Sequence, residues 1–284
     1  MESMELKQDV THGTWDYPFQ VHHTMLSDGL YLYPHVHNEL EITCITKGQG
    51  IFFINNQAYN VKEGDILFVP SDSIHLAKAT TKTSASFFSV VFSPNCFCIS
   101  AQSHIYTKYI APVIDGRIHF TNHLNGSASW HKDAWKLAKD IENAASRTDT
   151  ELLCQSSLLK LWHLFFSHST PGKLTPNIRS MSLKASIDYM HTHFSEHITV
   201  LDLANISHMS GGHFSRTFKD YMKISPLNYL IQIRIDESIK LLQKSNLSIG
   251  EIALRCGFND FSYFCKVFRK KMNCTPHEVK YPPL

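Results

Sequence analysis

The chain has 284 residues, 43% of them hydrophobic and 18% charged, which is a globular composition and excludes a disordered chain. This length is sufficient for two hydrophobic cores of ordinary domain size. The net charge is only +2, but residues 199–284 hold 12 Lys and Arg against 7 Asp and Glu. The positive charge is therefore concentrated in the carboxyl-terminal third, as expected of a module that binds a polyanion.

The apolar segments and the cysteines indicate the cellular compartment. Residues 87–92 and 158–166 are too short to span a bilayer, and no signal peptide precedes Asp9. The seven cysteines are scattered without a C-x-x-C pattern, and Cys96 and Cys98 have the wrong spacing for a common zinc loop. We expect reduced thiols in a cytoplasmic protein that makes no membrane contact.

The amino-terminal part predicts short β-strands in quick succession. Asn55 and Asn56 are typical of a two-residue hairpin turn, and other turn residues separate the remaining strands. Such a series predicts a small barrel or jelly roll, which we assign to residues 1–125 together with an amino-terminal arm. The predicted strands cover residues 19–26, 29–37, 40–46, 50–55, 57–61, 65–70, 74–79 and 84–92.

A spaced set of glycines, histidines and one glutamate lies within these strands. Its members are Gly29, His35, His37, Glu41 and Gly48, followed by Gly64, Pro70 and His75. This spacing resembles the paired motifs of the cupin barrel over about residues 15–120. It departs from the cupin pattern at Asp72, where that pattern has glycine, and at Ala79, where it has asparagine.

The chemistry of this set allows two kinds of ligand. Alternation of side chains along a strand predicts that His35, His37 and Glu41 share one face, and His75 would complete a set of three imidazoles and a carboxylate. Such a set suits a divalent transition metal, as in enzymatic cupins. Alternatively, these residues line a polar effector pocket, with Trp15 and Tyr33 as further candidates, or are hydrogen-bonded core residues.

Two apolar helices are predicted between the barrel and the basic segment. They cover residues 130–146 and 151–167. We assign residues 126–170 to a segment that either pairs with a second subunit or packs within the chain. Residues 171–178 form a linker, because Ser, Thr, Pro and Gly dominate residues 169–176. The carboxyl-terminal domain then covers residues 179–284 and begins with a helix from about Ile178 to Phe194.

The carboxyl-terminal domain contains an internal repeat. Residues 199–222 and 248–272 align at offsets of 49 and 50, with Phe214 and Phe218 matching Phe264 and Phe268. Each copy predicts a short helix, a tight turn and a second helix with a basic outer face, which is the helix-turn-helix layout. The expected basic faces contain Arg216, Lys219, Lys266, Arg269, Lys270 and Lys271.

Capping and turn residues support this repeat. Thr199 and Ser248 lie where N-caps belong, and Ser248 forms a capping box with Glu251. His208 and Gly257 occupy the turns, where the backbone often needs a positive φ. A connecting helix begins at Ser225-Pro226, and a second capping box at residues 275–278 opens a short final helix.

The segment 215–279 resembles the DNA-binding domain of the AraC family of transcription regulators. The match covers roughly residues 180–281 and includes the runs 234–242, 248–253, 257–258 and 275–276. In that family, the early outward residues of each recognition helix contact bases. The resemblance implies base contacts by Gly212, Ser215, Arg216, Phe261, Ser262 and Lys266. We add these residues to the predicted DNA-binding set: Ser210, His213, Lys219, Asn259, Asp260 and Arg269.

The first recognition helix departs from that pattern. Gly211 and Gly212 provide no side chains, so we expect the first motif to read fewer bases, through His213, Ser215 and Arg216. In the second motif, Phe261 is expected to contact a thymine methyl group, and Lys266 to contact guanine or a phosphate.

The sequence thus predicts a multidomain chain, with an all-β cupin-like barrel followed by helices and an all-α double helix-turn-helix domain. We expect a homodimeric transcription regulator, an activator, that binds double-stranded DNA, RNA polymerase and a small effector such as a sugar. It would require no cofactor and catalyse no reaction. One alternative is a metal-dependent cupin enzyme fused to a DNA-binding domain, with His35, His37, Glu41 and His75 as ligands. Another is an architectural protein without sequence preference.

Overall fold

The computed structural model describes residues 19–27, 31–79, 84–97, 102–172 and 178–281. The chain divides into two compact units, one ending at Ser180 and the other covering Met181–Leu284. Within the described residues, no helix combines the length and the apolar character needed to cross a membrane.

The first unit is built mainly from antiparallel strands, which confirms the expected all-β character of this part of the chain. A 3-10 turn at Pro94–Cys96 and a π-helical turn at Tyr106–Ile110 follow the seventh strand. The strands are β1 (Phe19–Leu26), β2 (Tyr31–His35), β3 (Leu40–Ile54), β4 (Gln57–Lys62), β5 (Ile66–Val69), β6 (His75–Ala79), β7 (Ala85–Phe92), β8 (Ile118–His119), β9 (His123–Leu124) and β10 (Thr170–Pro171).

Strand β3 joins the two halves of the sheet. Its first half pairs with β5 and β7, and its second half pairs with β4 and β6. The sequence prediction of two strands here was wrong, because the backbone continues through a bulge between Ile45 and Lys47 instead of reversing. Gly48 permits this course: its φ is 77°, and a Cβ atom there would lie 1.8 Å from the Ser84 carbonyl oxygen.

Helices cover one face of this sheet. They are α1 (Ala111–Ile114), α2 (His131–Ala145) and α3 (Glu151–Ser167). One face of β3 places Ile42 and Cys44 in a core that also contains Ile141 from α2 and Leu158 and Trp162 from α3. The two helices therefore share a hydrophobic core with the strands. The opposite face of β3 contributes Ile45 to a smaller, separate core.

The second unit is helical, as predicted. The connecting helix α7 begins at the Ser225 cap with Pro226 in its first turn, as the sequence indicated. Phe214, Phe218, Phe264 and Phe268 are fully buried, as expected for the apolar stripes of the two repeats. The helices are α4 (Ile178–His193), α5 (Val200–Ile206), α6 (Gly211–Met222), α7 (Pro226–Lys244), α8 (Ile249–Arg255), α9 (Phe261–Met272) and α10 (Pro276–Lys280).

Candidate effector and DNA-binding sites

Four polar side chains from different segments of the first unit meet at one point. They are His35, His37, Glu41 and His75, and one ligand atom from each lies within 4.8 Å of the others. His35, His37 and Glu41 were expected to share one strand face, but they come from three successive segments of the chain. His35 is the last residue of β2, His37 lies in the following turn, and Glu41 lies in β3. Pairing of β2 with β6 places His35 opposite His75 and so closes the cluster.

Glu41 is the centre of this cluster. Its Oε2 atom lies 3.2 Å from Nε2 of His37 and 3.1 Å from Nε2 of His75. Its Oε1 atom accepts a hydrogen bond of 2.5 Å from Thr43, whose hydroxyl also lies 2.8 Å from that of Ser89. Because Glu41 and Thr43 are two residues apart on β3, they face the same side of the sheet. The Thr43 hydroxyl, which Ser89 contacts in turn, holds one carboxylate oxygen and leaves the other for the imidazoles.

The cluster shifts the protonation of its members in different directions. Burial favours a neutral Glu41, but the adjacent His75 and the hydrogen bonds from His37 and His75 hold the pKa of Glu41 well below its usual range. Burial and the neighbouring imidazoles hold the pKa of His35 well below its usual range. Burial also opposes charge on His37, yet the hydrogen bond and negative charge of Glu41 raise its pKa. The site therefore combines a carboxylate with at least one neutral imidazole.

The side of β3 that carries Glu41 and Thr43 changes character along its length. Beyond Thr43, the same face carries Ile45, which packs in the smaller core with Leu67 and Phe87. A ligand at this face would therefore meet charged and polar groups at one end and apolar side chains at the other. Tyr33 is half-buried, and its carbonyl accepts a hydrogen bond from His35. Trp15 lies outside the described residues.

The first helix-turn-helix motif comprises α5 and α6. Thr199 caps α5 and forms a capping box with Asp202, a partner that the sequence analysis did not identify. His208 in the turn has a φ of 53°, as expected for this position. Ser210 precedes α6, and its side chain makes no capping hydrogen bond. The turn geometry thus matches the helix-turn-helix prediction.

The second motif comprises α8 and α9. The predicted capping box of Ser248 and Glu251 is present, and Gly257 has a φ of 78°. Asp260 caps α9, because its carboxylate accepts a hydrogen bond of 2.7 Å from the Tyr263 amide. This contact gives Asp260 a structural role in addition to its predicted place at the DNA surface.

The predicted DNA-binding residues lie mostly on the surface of the second unit. Ser215 is half-buried. Lys271 departs from the expected outward face, because its ammonium group donates to Gln232 on α7 at 2.6 Å. The exposed members are Ser210, Gly212, His213, Arg216, Lys219, Asn259, Asp260, Phe261, Ser262, Lys266 and Arg269.

The sequence analysis missed two features of these sites. Tyr263 is 47% exposed on α9, close to Phe261 at 51%, so the second recognition helix carries two exposed aromatic rings. Thr43 and Ser89 support Glu41, although neither was a candidate. The position of Thr43 two residues after Glu41 was an available signal, whereas Ser89 reaches it only through the pairing of β3 with β7.

Comparisons with known proteins agree with this architecture. The AraC-like ligand binding domain profile matches residues 21–99, and a helix-turn-helix domain profile matches residues 203–280. HTH-type transcriptional regulator YdeC from Bacillus subtilis (strain 168) is 27% identical over 281 residues, which cover 97% of this chain and 96% of that protein. HTH-type transcriptional activator RhaS from Enterobacter sp. (strain 638) is 25% identical, with 87% of this chain and 86% of that protein covered.

Among solved structures, ToxT from Vibrio cholerae is 15% identical, with 93% of this chain and 98% of that chain covered at a TM-score of 0.49. The relatives named above are transcription regulators, which does not favour the alternative of a cupin enzyme fused to a DNA-binding domain. Since both domain profiles and the relatives that match along most of the chain agree, this chain belongs to the AraC family of transcription regulators, with a ligand-binding domain and a helix-turn-helix DNA-binding domain.

Proposed function

We propose that this regulator binds specific DNA sequences through α6 and α9 and responds to a small polar effector bound in the barrel. The main support is the pair of recognition helices, each fixed by a buried phenylalanine pair and each exposing basic residues on its outer side. Arg216 and Lys219 provide this charge in the first motif, and Lys266 and Arg269 provide it in the second. Two such helices suit successive major-groove segments, which lie about 34 Å apart.

Each recognition helix has its own proposed role. In the first motif, the start of α6 would lie close to the DNA backbone or the bases through Ser210, Gly212 and His213. Arg216 would make the main contact with DNA. In the second motif, Asn259, Phe261 and Ser262 would lie against base edges. The predicted DNA-binding surface also includes Ser215 and Asp260.

The barrel is the proposed sensing domain. Glu41, Thr43 and the three clustered histidines form a polar site on one face of the sheet, which suits a polar metabolite such as a sugar. Effector binding can change DNA binding only if the effector has different affinities for two arrangements of the protein. Activation of transcription and contact with RNA polymerase remain part of this proposal, as does a cytoplasmic location.

A homodimer is also proposed, with α3 at its centre. Leu152 is 81% exposed, Leu153 54% and Leu159 39%, so this helix presents apolar side chains on its surface while Leu158 and Trp162 fill the core. Pairing with a second copy would remove these leucines from water.

We propose that the barrel ends at residue 125, the helical segment at residue 170 and the linker at residue 178.

Selection of genomic fragments by the purified full-length protein, followed by footprinting, tests the DNA-binding proposal. We expect protection of a defined sequence with two adjacent half-sites, and Arg216→Ala or Lys266→Ala should weaken binding at least roughly tenfold. Each substitution should also reduce the slope of log affinity against log salt by about 0.9 for each phosphate contact removed.

Lys62→Ala provides a matched control, because Lys62 is an exposed lysine on β4 in the other unit. It should leave both the affinity and the salt slope unchanged. Protection without sequence preference would contradict specific recognition and favour the architectural alternative.

A further inference from the structure

The three clustered histidines have the same orientation relative to the backbone. Nδ1 of His35 lies 2.8 Å from the Tyr33 carbonyl oxygen, Nδ1 of His37 lies 3.1 Å from that of Glu39, and Nδ1 of His75 lies 2.9 Å from that of Ser73. A carbonyl oxygen only accepts hydrogen bonds, so each Nδ1 carries the proton. In a neutral imidazole, Nε2 then presents a lone pair. As long as it is neutral, each ring can act only as an acceptor or a metal ligand at Nε2.

The Nε2 atoms of His37 and His75 approach another group that only accepts. The Oε2 atom of Glu41 lies 3.2 Å from Nε2 of His37 and 3.1 Å from Nε2 of His75. Neutral rings in this orientation would place nitrogen lone pairs against a carboxylate oxygen, which is unfavourable without positive charge between them. Either protons on the imidazoles or a single cation at the common point can supply that charge.

The distances match those among ligands around a metal ion. Bonds of about 2.1 Å place adjacent ligand atoms of an octahedral ion about 3.0 Å apart and opposite ones about 4.2 Å apart. The two distances from Glu41 Oε2, 3.1 and 3.2 Å, are close to the adjacent value. The largest separation in the cluster, 4.8 Å, needs only a small inward movement of the side chains.

The surroundings of the cluster are also those of a metal site. Metal-binding histidines usually donate their second ring N–H to a backbone carbonyl or carboxylate, which fixes the ring and its tautomer. Here all three do so, and Thr43 holds the far oxygen of Glu41. A group of hydrogen-bonded core histidines would not need a backbone carbonyl at all three Nδ1 atoms together with two Nε2 atoms directed at one carboxylate oxygen.

We infer that His35, His37, Glu41 and His75 bind one divalent transition-metal ion, so that the polar site of the sensing domain is a metal site. Three imidazole nitrogens and one carboxylate oxygen suit Mn²⁺, Fe²⁺, Co²⁺, Ni²⁺ or Zn²⁺, whereas Mg²⁺ and Ca²⁺ prefer oxygen ligands. Four protein ligands leave two positions of an octahedral ion open. This inference rests on the proposed function, because it places an ion in the polar site where the effector would bind.

Metal titration of the chelator-treated, full-length protein tests this inference directly. We expect uptake of one Co²⁺ per chain with the visible absorption of nitrogen-coordinated Co²⁺, displacement by Zn²⁺, and no competition from Mg²⁺. Binding should also raise the thermal midpoint of the protein, because the ion binds the folded state alone.

Two ligand variants and a matched control assign the site. Glu41→Gln removes the charge with little change in shape, and His35→Asn changes a half-buried ligand, so circular dichroism should show both variants folded. Each should weaken Co²⁺ binding by at least about tenfold. The control, His123→Asn, alters another histidine of this unit that pairs with a carboxylate, Asp65 at 2.9 Å, and it should bind like the wild type.

The result that overturns the inference is the absence of saturable uptake by the folded protein, or uptake that survives both ligand substitutions. DNA binding is measured on the same metal-free and metal-loaded samples. Sequence-specific DNA binding without metal uptake would overturn the metal site alone. Metal uptake without DNA binding in either form would overturn the proposed function and leave the metal site intact.

Discussion

His208 and Gly257 occupy equivalent turns in the two helix-turn-helix motifs, and both have a left-handed backbone, with φ values of 53° and 78°. The two positions differ in their surroundings. His208 is exposed, whereas a Cβ atom at Gly257 would lie 2.9 Å from the carbonyl oxygens of both Phe194 and Ser195. Arg234 donates to the same Phe194 oxygen at 2.7 Å. The second turn is therefore packed against the segment after α4, and the first is open to solvent.

Substitutions at these two turns should have opposite effects on stability. His208→Gly relieves the cost of a left-handed side-chain residue and should stabilise the protein by roughly 0.5–1 kcal/mol. Gly257→Ala adds backbone strain and a close contact with two carbonyl oxygens, and should destabilise it by about 2 kcal/mol or more. Thermal unfolding followed by the helical circular dichroism signal measures both changes, and equal effects would contradict the difference in packing.

The paired glycines at the start of α6 allow a second comparison. A Cβ atom at Gly212 meets nothing within 4 Å, whereas one at Gly211 lies 3.2 Å from Leu201. Gly212→Ala should therefore stabilise the helix by up to about 1 kcal/mol, and Gly211→Ala should gain less. If α6 approaches DNA closely at Gly212, the same substitution should weaken DNA binding. Unchanged affinity would show that this glycine does not lie against the duplex.

Asp236 makes the stability of the second unit depend on pH. It accepts a hydrogen bond of 2.8 Å from Gln232, and burial raises its pKa to about 7. The folded carboxyl therefore binds its proton more tightly than the unfolded one, whose ordinary pKa is 3.8. The stabilising contribution of the protonated Asp236 carboxyl is fully present below its pKa in the unfolded chain. This contribution is lost as the pH rises through the folded-state pKa of about 7.

Asp236→Asn should consequently stabilise the protein at pH 8, by on the order of 1 kcal/mol, and much less at pH 5. Thermal unfolding at both values measures the difference. Asp220→Asn is a suitable control, because this carboxylate is exposed on α6 and is not among the charges that shift the pKa of Asp236. A gain for Asp236→Asn that is the same at both pH values would contradict the assigned titration.

The carboxyl-terminal unit was predictable because its signals are local. The side chains of caps such as Thr199, Ser248 and Thr275 accept hydrogen bonds from amides three residues later in the chain. At the turns, the residue type largely determines the backbone angles of that same residue. Hence the repeat, the caps and the buried phenylalanines could all be identified from the sequence. Lys271 was assigned to the wrong face because its partner, Gln232, lies 39 residues away on another helix.

The sheet of the first unit was harder to predict because its geometry depends on distant pairings. The members of the polar cluster were identified from spacing, but their meeting depends on the register of β2 against β6, with His35 opposite His75. Residues 47–49 separated two predicted strands, yet they lie within β3, whose two halves have different partners that only the folded sheet determines. The alternation of side chains within one strand predicts neither the register of β2 against β6 nor the change of partners along β3.

The exposed Phe261 ring should recognise thymine through its C5 methyl group. This residue opens α9, where side chains reach base edges in a helix-turn-helix complex, and apolar contact with the methyl group is a common way to read thymine. Replacing the contacted thymine by uracil removes only that methyl group, and should cost the wild type about 1 kcal/mol, or roughly fivefold in affinity. Binding assays with matched duplexes measure this loss.

Phe261→Ala should bind the thymine and uracil duplexes equally, because the variant has no ring to contact the methyl group. Lys266→Ala should bind both more weakly and keep the wild-type preference for thymine, since its proposed contact is polar. The two substitutions and the base change form a cycle that isolates the contact between ring and methyl group from general loss of affinity. A preference for thymine that persists in Phe261→Ala would assign the methyl contact to another residue, with Tyr263 as the neighbouring exposed ring.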